Sequence, residues 1–334
     1  MNEKRVWQLI LGVLAFGPLT AQDAQFAQFY AVPTYISPAF AGTGLQTRMG
    51  LAVRDQWPAF PGAFVTTNLA VDHYMPDINS GIGLLVTHDK AGSGALRYTS
   101  IAGQYAYEIE LKRKVFLRPA LQLGWVNHAV DYSKLIFGDQ LARGGDVGTY
   151  EYLRGTSISY ADFGGGLMLF TPRYWTGISF HHLNRPNQSL IGNETRMPVK
   201  FSMHGGWRTN LRTPVIRDHP QSIVLAYNYR SQGKYDQLDI GGYFERDPFY
   251  AGIWYRGIPL FKHYEAGYSN RDALSLLVGA IVNDLRIGYS YDITISRLAG
   301  QSAGAHEITL GYAFAQQSKK RAMSKRRIVP CPKF

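Results

Sequence analysis

Apolar and polar positions alternate with a period of two along most of the chain. In "HEITLGYAF", Ile308, Leu310, Tyr312 and Phe314 fall on one face, and Glu307, Thr309, Gly311 and Ala313 on the other. In "DLRIGYSYDI", Leu285, Ile287, Tyr289 and Tyr291 alternate with Arg286, Gly288, Ser290 and Asp292. This pattern predicts strands with one apolar face and one small or polar face. Fourteen segments carry it: 47–55, 63–73, 80–88, 97–108, 115–127, 157–169, 174–182, 198–208, 221–230, 235–245, 249–257, 273–282, 284–292 and 306–314. Their lengths suit transmembrane strands, which need about 9–11 residues and carry aromatic residues at both interfaces.

The connections separate a membrane barrel from a soluble sandwich or a propeller. Tyr74–Asn79, Ile109–Lys114, Phe170–Arg173, Arg246–Pro248 and Asn283 are short. Gln56–Gly62, His128–Thr156, Leu183–Met197, Ile258–Asp272 and Ile293–Ala305 alternate with them and are mostly long. Outer-membrane barrels show this alternation, with short periplasmic turns and longer external loops. The exceptions are the longer turn Thr209–Pro220 and the short loop Ser231–Lys234. No repeat of propeller length appears. Closure also removes the unpaired edges that lipid cannot tolerate. The expected fold is all-β: a transmembrane antiparallel β-barrel of about 14 strands over 47–314. An even strand count places both chain ends on one side, the periplasm.

Composition adds the flanks. Lys4 and Arg5 precede the apolar run Val6–Phe16, and Leu19-Thr20-Ala21 offers a cleavage site, so 1–21 reads as a signal peptide. The mature chain then starts with "QDAQFAQFYAVPTYISPAFAG", rich in aromatics and amides and poor in charge. Phe26, Phe29 and Tyr30 fit one face of a short helical turn, Gln22, Gln25 and Gln28 another, and Pro33 and Pro38 end it. Such a segment has aromatics to bury, so 22–46 is expected to plug the barrel or lie under it. Its candidate contacts are Gln25, Phe26, Gln28, Phe29 and Tyr30. Of the formal net charge of +11, residues 315–334 account for seven and residues 1–21 for one, leaving +3 for the body. The basicity is therefore a property of the tail and does not mark a nucleic-acid-binding face. The tail reads as an unfolded periplasmic overhang or as a docking peptide for an acidic partner through Lys319, Lys320, Arg321, Arg326, Arg327 and Cys331.

Chemistry is sparse. The single cysteine, Cys331, excludes an intrachain disulfide and multi-cysteine metal sites. Read by itself, it could be a free thiol, a lipidation target or a link to a partner. His181 and His182 are neighbours on a strand and are expected to point to opposite faces, which prevents a shared metal. Gly42-Thr43-Gly44 and Gly164-Gly165-Gly166 lack the lysine and the strand-to-helix context of a phosphate loop, and mark bends or close approaches of plug and wall. Ser100, Ser157 and Ser159 lack an elbow sequence. Asp72, Glu108, Glu110, Asp162, Asp239 and Asp292 are accounted for by lumenal pairing with Arg118 or Arg286. No catalytic, cofactor or metal residue is therefore expected.

Several blocks resemble the PorP/SprF family of type IX secretion membrane proteins. They are "QDAQFAQFY" leading to "SPAFAG", "RDQWPAFPGAFVTTNLAVDH" at 54–73, "EAGYSNRDALSLLVGAIVNDLRIGYSYDITISRL" at 265–298, "GAHEITLGYAF" at 304–314 and the terminal "RRIVPCPKF". The pattern departs from the family at Ser37, where the family often has Asn. The resemblance implies a non-enzymatic outer-membrane barrel that assists the export or surface retention of client proteins. Those clients are typically gliding adhesins with a C-terminal sorting domain. It also implies membrane lipids and other secretion subunits as partners, no nucleic acid, and no cofactor. The alternative is an outer-membrane channel for small solutes.

Overall fold

The computed structural model describes residues 23–92, 95–144, 148–150, 155–190, 192–211, 221–258, 271–296, 298–314 and 329–331. Residues 1–21, expected to be a signal peptide, and the basic residues Lys319, Lys320, Arg321, Arg326 and Arg327 lie outside them, as does most of the loop 258–272.

The alternating segments pair in sequence order. The strands are β1 (Arg48–Gln56), β2 (Phe64–Met75), β3 (Ser80–Ala91), β4 (Leu96–Tyr107), β5 (Ile109–Lys112), β6 (Val115–Val130), β7 (Ser157–Phe170), β8 (Tyr174–His181), β9 (Lys200–Asn210), β10 (Gln221–Gln232), β11 (Tyr235–Arg246), β12 (Phe249–Gly257), β13 (Arg271–Val282), β14 (Leu285–Thr294) and β15 (Ala305–Ala313). Neighbours are antiparallel throughout. β1 closes on β15 with Arg48 opposite Ala313, and β4 pairs with β6 past the short β5. The result is a closed barrel of fourteen strands, all fourteen at the places the alternation predicts, with β5 outside the ring.

β5 falls in what the sequence reads as the turn 109–114. Its cause is local. Glu108 leaves the ladder, its backbone N–H donating to the Asn79 carbonyl at 2.8 Å. Pro119 stands where β6 exchanges partners, between Leu117 opposite Ile109 and Ala120 opposite Ala106. A proline has no N–H to give to a ladder, so the break is cheapest there.

The alternation sorts side chains as a membrane barrel requires. On β15, His306, Ile308, Leu310 and Tyr312 are exposed while Ala305, Glu307, Thr309 and Ala313 are buried. Leu69, Ile82, Ile101, Leu121, Leu123, Trp125, Ile253 and Val278 likewise face outward. A continuous apolar outer belt over a polar interior is stable only in lipid. Most short connections and the start of β1 share one end of the barrel, termed the turn end; the short connections 92–95 and 233–234 are at the other end. Most of the long connections share the other, the loop end. The described part of the β6–β7 loop carries a short helix, Gly138–Ala142.

Candidate functional site in the barrel lumen

Residues 23–46 lie within the lumen, bonded to its wall. This segment contains no strand, so its backbone groups need partners other than a ladder. The wall supplies them from inward-facing polar side chains. At the loop end, Asp23 meets His182 Nε2 and Lys200 Nζ, each at 3.0 Å, and Gln232 Nε2 at 3.1 Å. The chain then descends. Arg256 donates to the Phe26 carbonyl, and Glu307 accepts the backbone N–H groups of Ala27 and Gln28 at 2.7 and 2.8 Å. The Gln28 side chain bonds the Glu307 carbonyl and the Thr309 hydroxyl. Ala31 and Val32 reach Gly50 near the turn end, and the chain doubles back until Tyr35 donates to the Ala24 carbonyl at 2.6 Å. A last limb descends past Gln104, Ser179 and Arg118, which donate to the carbonyls of Thr34, Ile36 and Ala39. Arg118 also bonds the Ala41 carbonyl, and Asp72 accepts the Gly42 N–H at 2.7 Å.

Pro33 and Pro38 each open a 3-10 turn, Pro33–Tyr35 and Pro38–Phe40, where the sequence reading has them end a helix. A proline costs nothing at the first helical position, because its missing N–H is unpaired there in any case. Ser37 caps the second turn by accepting the Ala39 N–H.

The aromatics divide between two walls. Phe26 packs with Val32 against Ala52, Ala70, Leu85 and Ala102 of β1–β4. Phe29 and Tyr30 face the bulky side of the barrel. The Phe29 ring lies 4.7 Å from that of Trp254, and Trp175 Nε1 donates to the Tyr30 hydroxyl at 3.3 Å. They therefore do not share the single face predicted for them. Gln25 is half-buried, and Phe26, Gln28, Phe29 and Tyr30 are each no more than 3% exposed. Glycines permit the closest approaches: a side chain at Gly81 would meet the Ala41 carbonyl oxygen at 2.0 Å, and one at Gly166 the Ser37 hydroxyl at 2.5 Å.

The wall charges form linked pairs. Arg54 bridges Asp292 at 2.6 Å and Glu307 at 3.4 Å, Arg256 bridges Asp292 and Asp239, and Arg230 holds Asp239 at 2.5 Å. Arg118 pairs with Glu108 at 2.8 Å and Arg48 with Asp72 at 2.9 Å. The predicted lumenal pairing thus holds for Glu108 with Arg118, while Asp72, Asp162, Asp239 and Asp292 use other partners.

His181 and His182 both point inward, contrary to the expectation for strand neighbours. His182 adopts φ 58°, a left-handed conformation that breaks the pleat at the end of β8. It bonds Asp162 at 2.8 Å through Nδ1 and Asp23 through Nε2. Burial disfavours its charged form, but the two carboxylates outweigh burial and lift its pKa to about 9, so it is an imidazolium at neutral pH. Burial likewise disfavours ionised Asp23, but Lys200 and His182 hold the carboxyl well below its ordinary range. Among the described residues no cluster of potential metal ligands is found.

At the turn end a second segment enters. Val329, Pro330 and Cys331 are buried, so Cys331 lies inside the barrel and not on a solvated overhang. Val329 and Cys331 join the apolar cluster of Phe29, Tyr30, Tyr243, Tyr250 and Trp254. Burial raises the thiol pKa to about 11. The sequence offered no sign of this burial beyond the apolar character of the terminal "IVPCP".

Among solved structures, the chain is similar to the CymD monoaromatic hydrocarbon channel, with 11% identity and a TM-score of 0.48 over 86% of this chain and 94% of that one. It is also similar to the P. putida toluene transporter TodX, with 11% identity and a TM-score of 0.43 over 84% and 93%. Acinetobacter baumannii Omp33 gives 7% identity and a TM-score of 0.43 over 80% and 98%. No curated protein sequence matches significantly. The family described as type IX secretion system membrane protein PorP/SprF matches residues 19–312. The match spans the lumenal segment and nearly the whole barrel, and by it the chain belongs to the PorP/SprF family of type IX secretion membrane proteins, an outer-membrane component of that system.

Proposed function

We propose that this barrel is a non-enzymatic accessory of type IX secretion that helps to export client proteins or hold them at the cell surface, such as gliding adhesins with a C-terminal sorting domain. The observation that carries this reading is the lumenal segment. Residues 23–46 occupy the interior and are bonded to wall side chains from loop end to turn end. A barrel so occupied is suited to presenting surfaces at its two ends more than to passing solutes. In this reading the turn end and the C-terminal segment face the periplasm and the other secretion subunits, and the loop end faces outward; Asp23 lies at that loop end, so the N-terminal segment does not begin on the turn-end side as the even strand count led one to expect.

The β6–β7 loop is the candidate client contact. Asp139 organises it, accepting from Thr149, the Tyr150 N–H and Arg143. Ile136, Leu141 and Tyr150 are displayed outward, 68%, 66% and 83% exposed. Exposed apolar side chains on a tethered aqueous loop mark an interaction site.

Deleting the gene and measuring surface adhesins tests the proposal. The expected result is loss of at least one adhesin from the surface, restored by the wild-type gene. Unchanged display of every adhesin would sink it.

A further inference from the structure

Along β2–β7 the outer face of the barrel changes chemistry in steps toward the loop end. Leu84, Ile101, Leu123, Trp125 and Phe163 stand exposed on its apolar part. The outward row nearer the loops is polar: Thr67, His88, Thr99, Asn127 and Ser159 are cross-strand partners in that order. His88 Nδ1 and the Thr99 hydroxyl lie 2.8 Å apart, and Asn127 Nδ2 donates to Ser159 Oγ at 3.0 Å. One pleat further stand Lys90 and Arg97, both exposed and directly opposite each other on β3 and β4.

The start of the β6–β7 loop adds a third cation. The Asp131 N–H donates to the Ala95 carbonyl at 2.7 Å, which sets this loop beside the β3–β4 connection. Asp131 pairs with Arg97 at 2.9 Å and with Lys134 at 3.9 Å, and both basic side chains remain 45% exposed. Like charges directly opposite each other on neighbouring strands are destabilising. Lys90, Arg97 and Lys134 thus share one neighbourhood with one bonded carboxylate, and an added anion relieves their repulsion.

The order along the strands is apolar, then uncharged and hydrogen-bonding, then cationic. A phosphate-bearing lipid has its parts in the same order: acyl chains, an ester or hydroxyl linkage, and the phosphate. A soluble anion would make no use of the two lower rows. We propose that the loop-end outer face of β3, β4 and β6 binds a phosphate-bearing lipid, its phosphate held by Lys90, Arg97 and Lys134. That its leaflet is the outer one rests on the orientation proposed above; the binding itself does not.

The experiment uses the purified full-length barrel in mixed micelles with phosphatidylglycerol and phosphatidylcholine of equal chain length and equal amount. Native mass spectrometry counts the lipid that each barrel retains. Each basic side chain near an anionic lipid headgroup is worth about fivefold in binding, so the wild type should favour phosphatidylglycerol by at least about fivefold. Lys90→Gln should lower that preference by about fivefold, and Lys90→Gln with Lys134→Gln should bring it to the mixing ratio. These side chains are exposed, so the variants keep the barrel's packing. Lys112→Gln, which changes an exposed lysine of β5 at the turn end, should match the wild type. A wild type without preference overturns the proposal. An equal loss in Lys112→Gln assigns the preference to surface charge at large and overturns the site. Displacement of the lipid by millimolar inorganic phosphate shows a plain anion site and overturns the lipid as occupant. Binding is read without a client or a secretion assay, so its failure leaves the secretion proposal untouched.

Discussion

Two segments without strand structure occupy the same lumen, and they are held by different physics. Residues 23–46 place backbone N–H and C=O groups against Glu307, Arg256, Gln104, Ser179, Arg118 and Asp72, most of them buried wall side chains. Among the described residues, Val329–Cys331 offers the wall two apolar side chains and one carbonyl bond. The first arrangement makes segment and wall mutually dependent: remove the segment, and buried charges face an empty interior. Irregular backbone inside a barrel is thus held in one case by polar wall groups and in the other by apolar burial.

The largest expected effect comes from deleting 23–46. Glu307 would lose two N–H donors, Asp72 one, and Arg118 two carbonyls. Leaving such groups buried and unpaired costs about 1–3 kcal/mol each, more when charged. The deletion should abolish the folded barrel in detergent unfolding assays, or yield a barrel that conducts ions in planar bilayers. A deleted barrel that is stable and non-conducting would refute the idea that this segment is a structural plug.

Next in size is Arg118→Leu. Arg118 is fully buried, binds Glu108 and bonds the carbonyls of Ala39 and Ala41. Breaking a buried pair from one side costs about 3–5 kcal/mol, because the remaining charge is uncompensated. The double change Arg118→Leu with Glu108→Gln should recover part of that loss, measured by denaturant midpoint. A single variant as stable as wild type would mean that Arg118 is not the turn-end clamp.

The contrast between the two segments also explains what could be read in advance. The fourteen ring strands were legible because lipid on one side and polar lumen on the other impose a period of two on every strand. The segment 22–46 was legible as something to be buried, from its aromatics and lack of charge. Its path was not, since its bonds run to residues as far away in sequence as Glu307. His182 was misread because one left-handed residue undoes the alternation rule. The burial of Cys331 was hidden by the six basic residues before it, which dominate any local reading of the tail.

A smaller effect is expected from Asp23→Asn, which weakens the loop-end anchor to His182 and Lys200. Asp23 is partly exposed, so the cost is about 1–2 kcal/mol, below that of a fully buried pair. The pH dependence has a definite sign. His182 is raised from its ordinary 6.5 to about 9, so its contribution is complete below 6.5 and is lost as pH rises through 9. Asp23 is depressed below its ordinary 3.8, so its contribution is present above 3.8 and is lost as pH falls through its lowered value. The anchor is therefore strongest between about pH 4 and 6.5 and weakens toward pH 9 and beyond. Thermal unfolding across pH 5–10 should show wild type losing stability at the alkaline end and Asp23→Asn losing less. Parallel curves for the two proteins would break the assignment.

The smallest effect should follow from removing 329–334. Val329 and Cys331 bury little apolar surface, and their loss costs about 1–2 kcal/mol at roughly 25 cal/mol per Å². Arg208 keeps Glu245 and Ser222 as partners. The truncated barrel should melt within a few degrees of wild type, on the scale of stability per degree for a chain this long. A collapse comparable to that of the 23–46 deletion would show that the barrel needs both segments alike, and the distinction between polar and apolar fixation would fall with it.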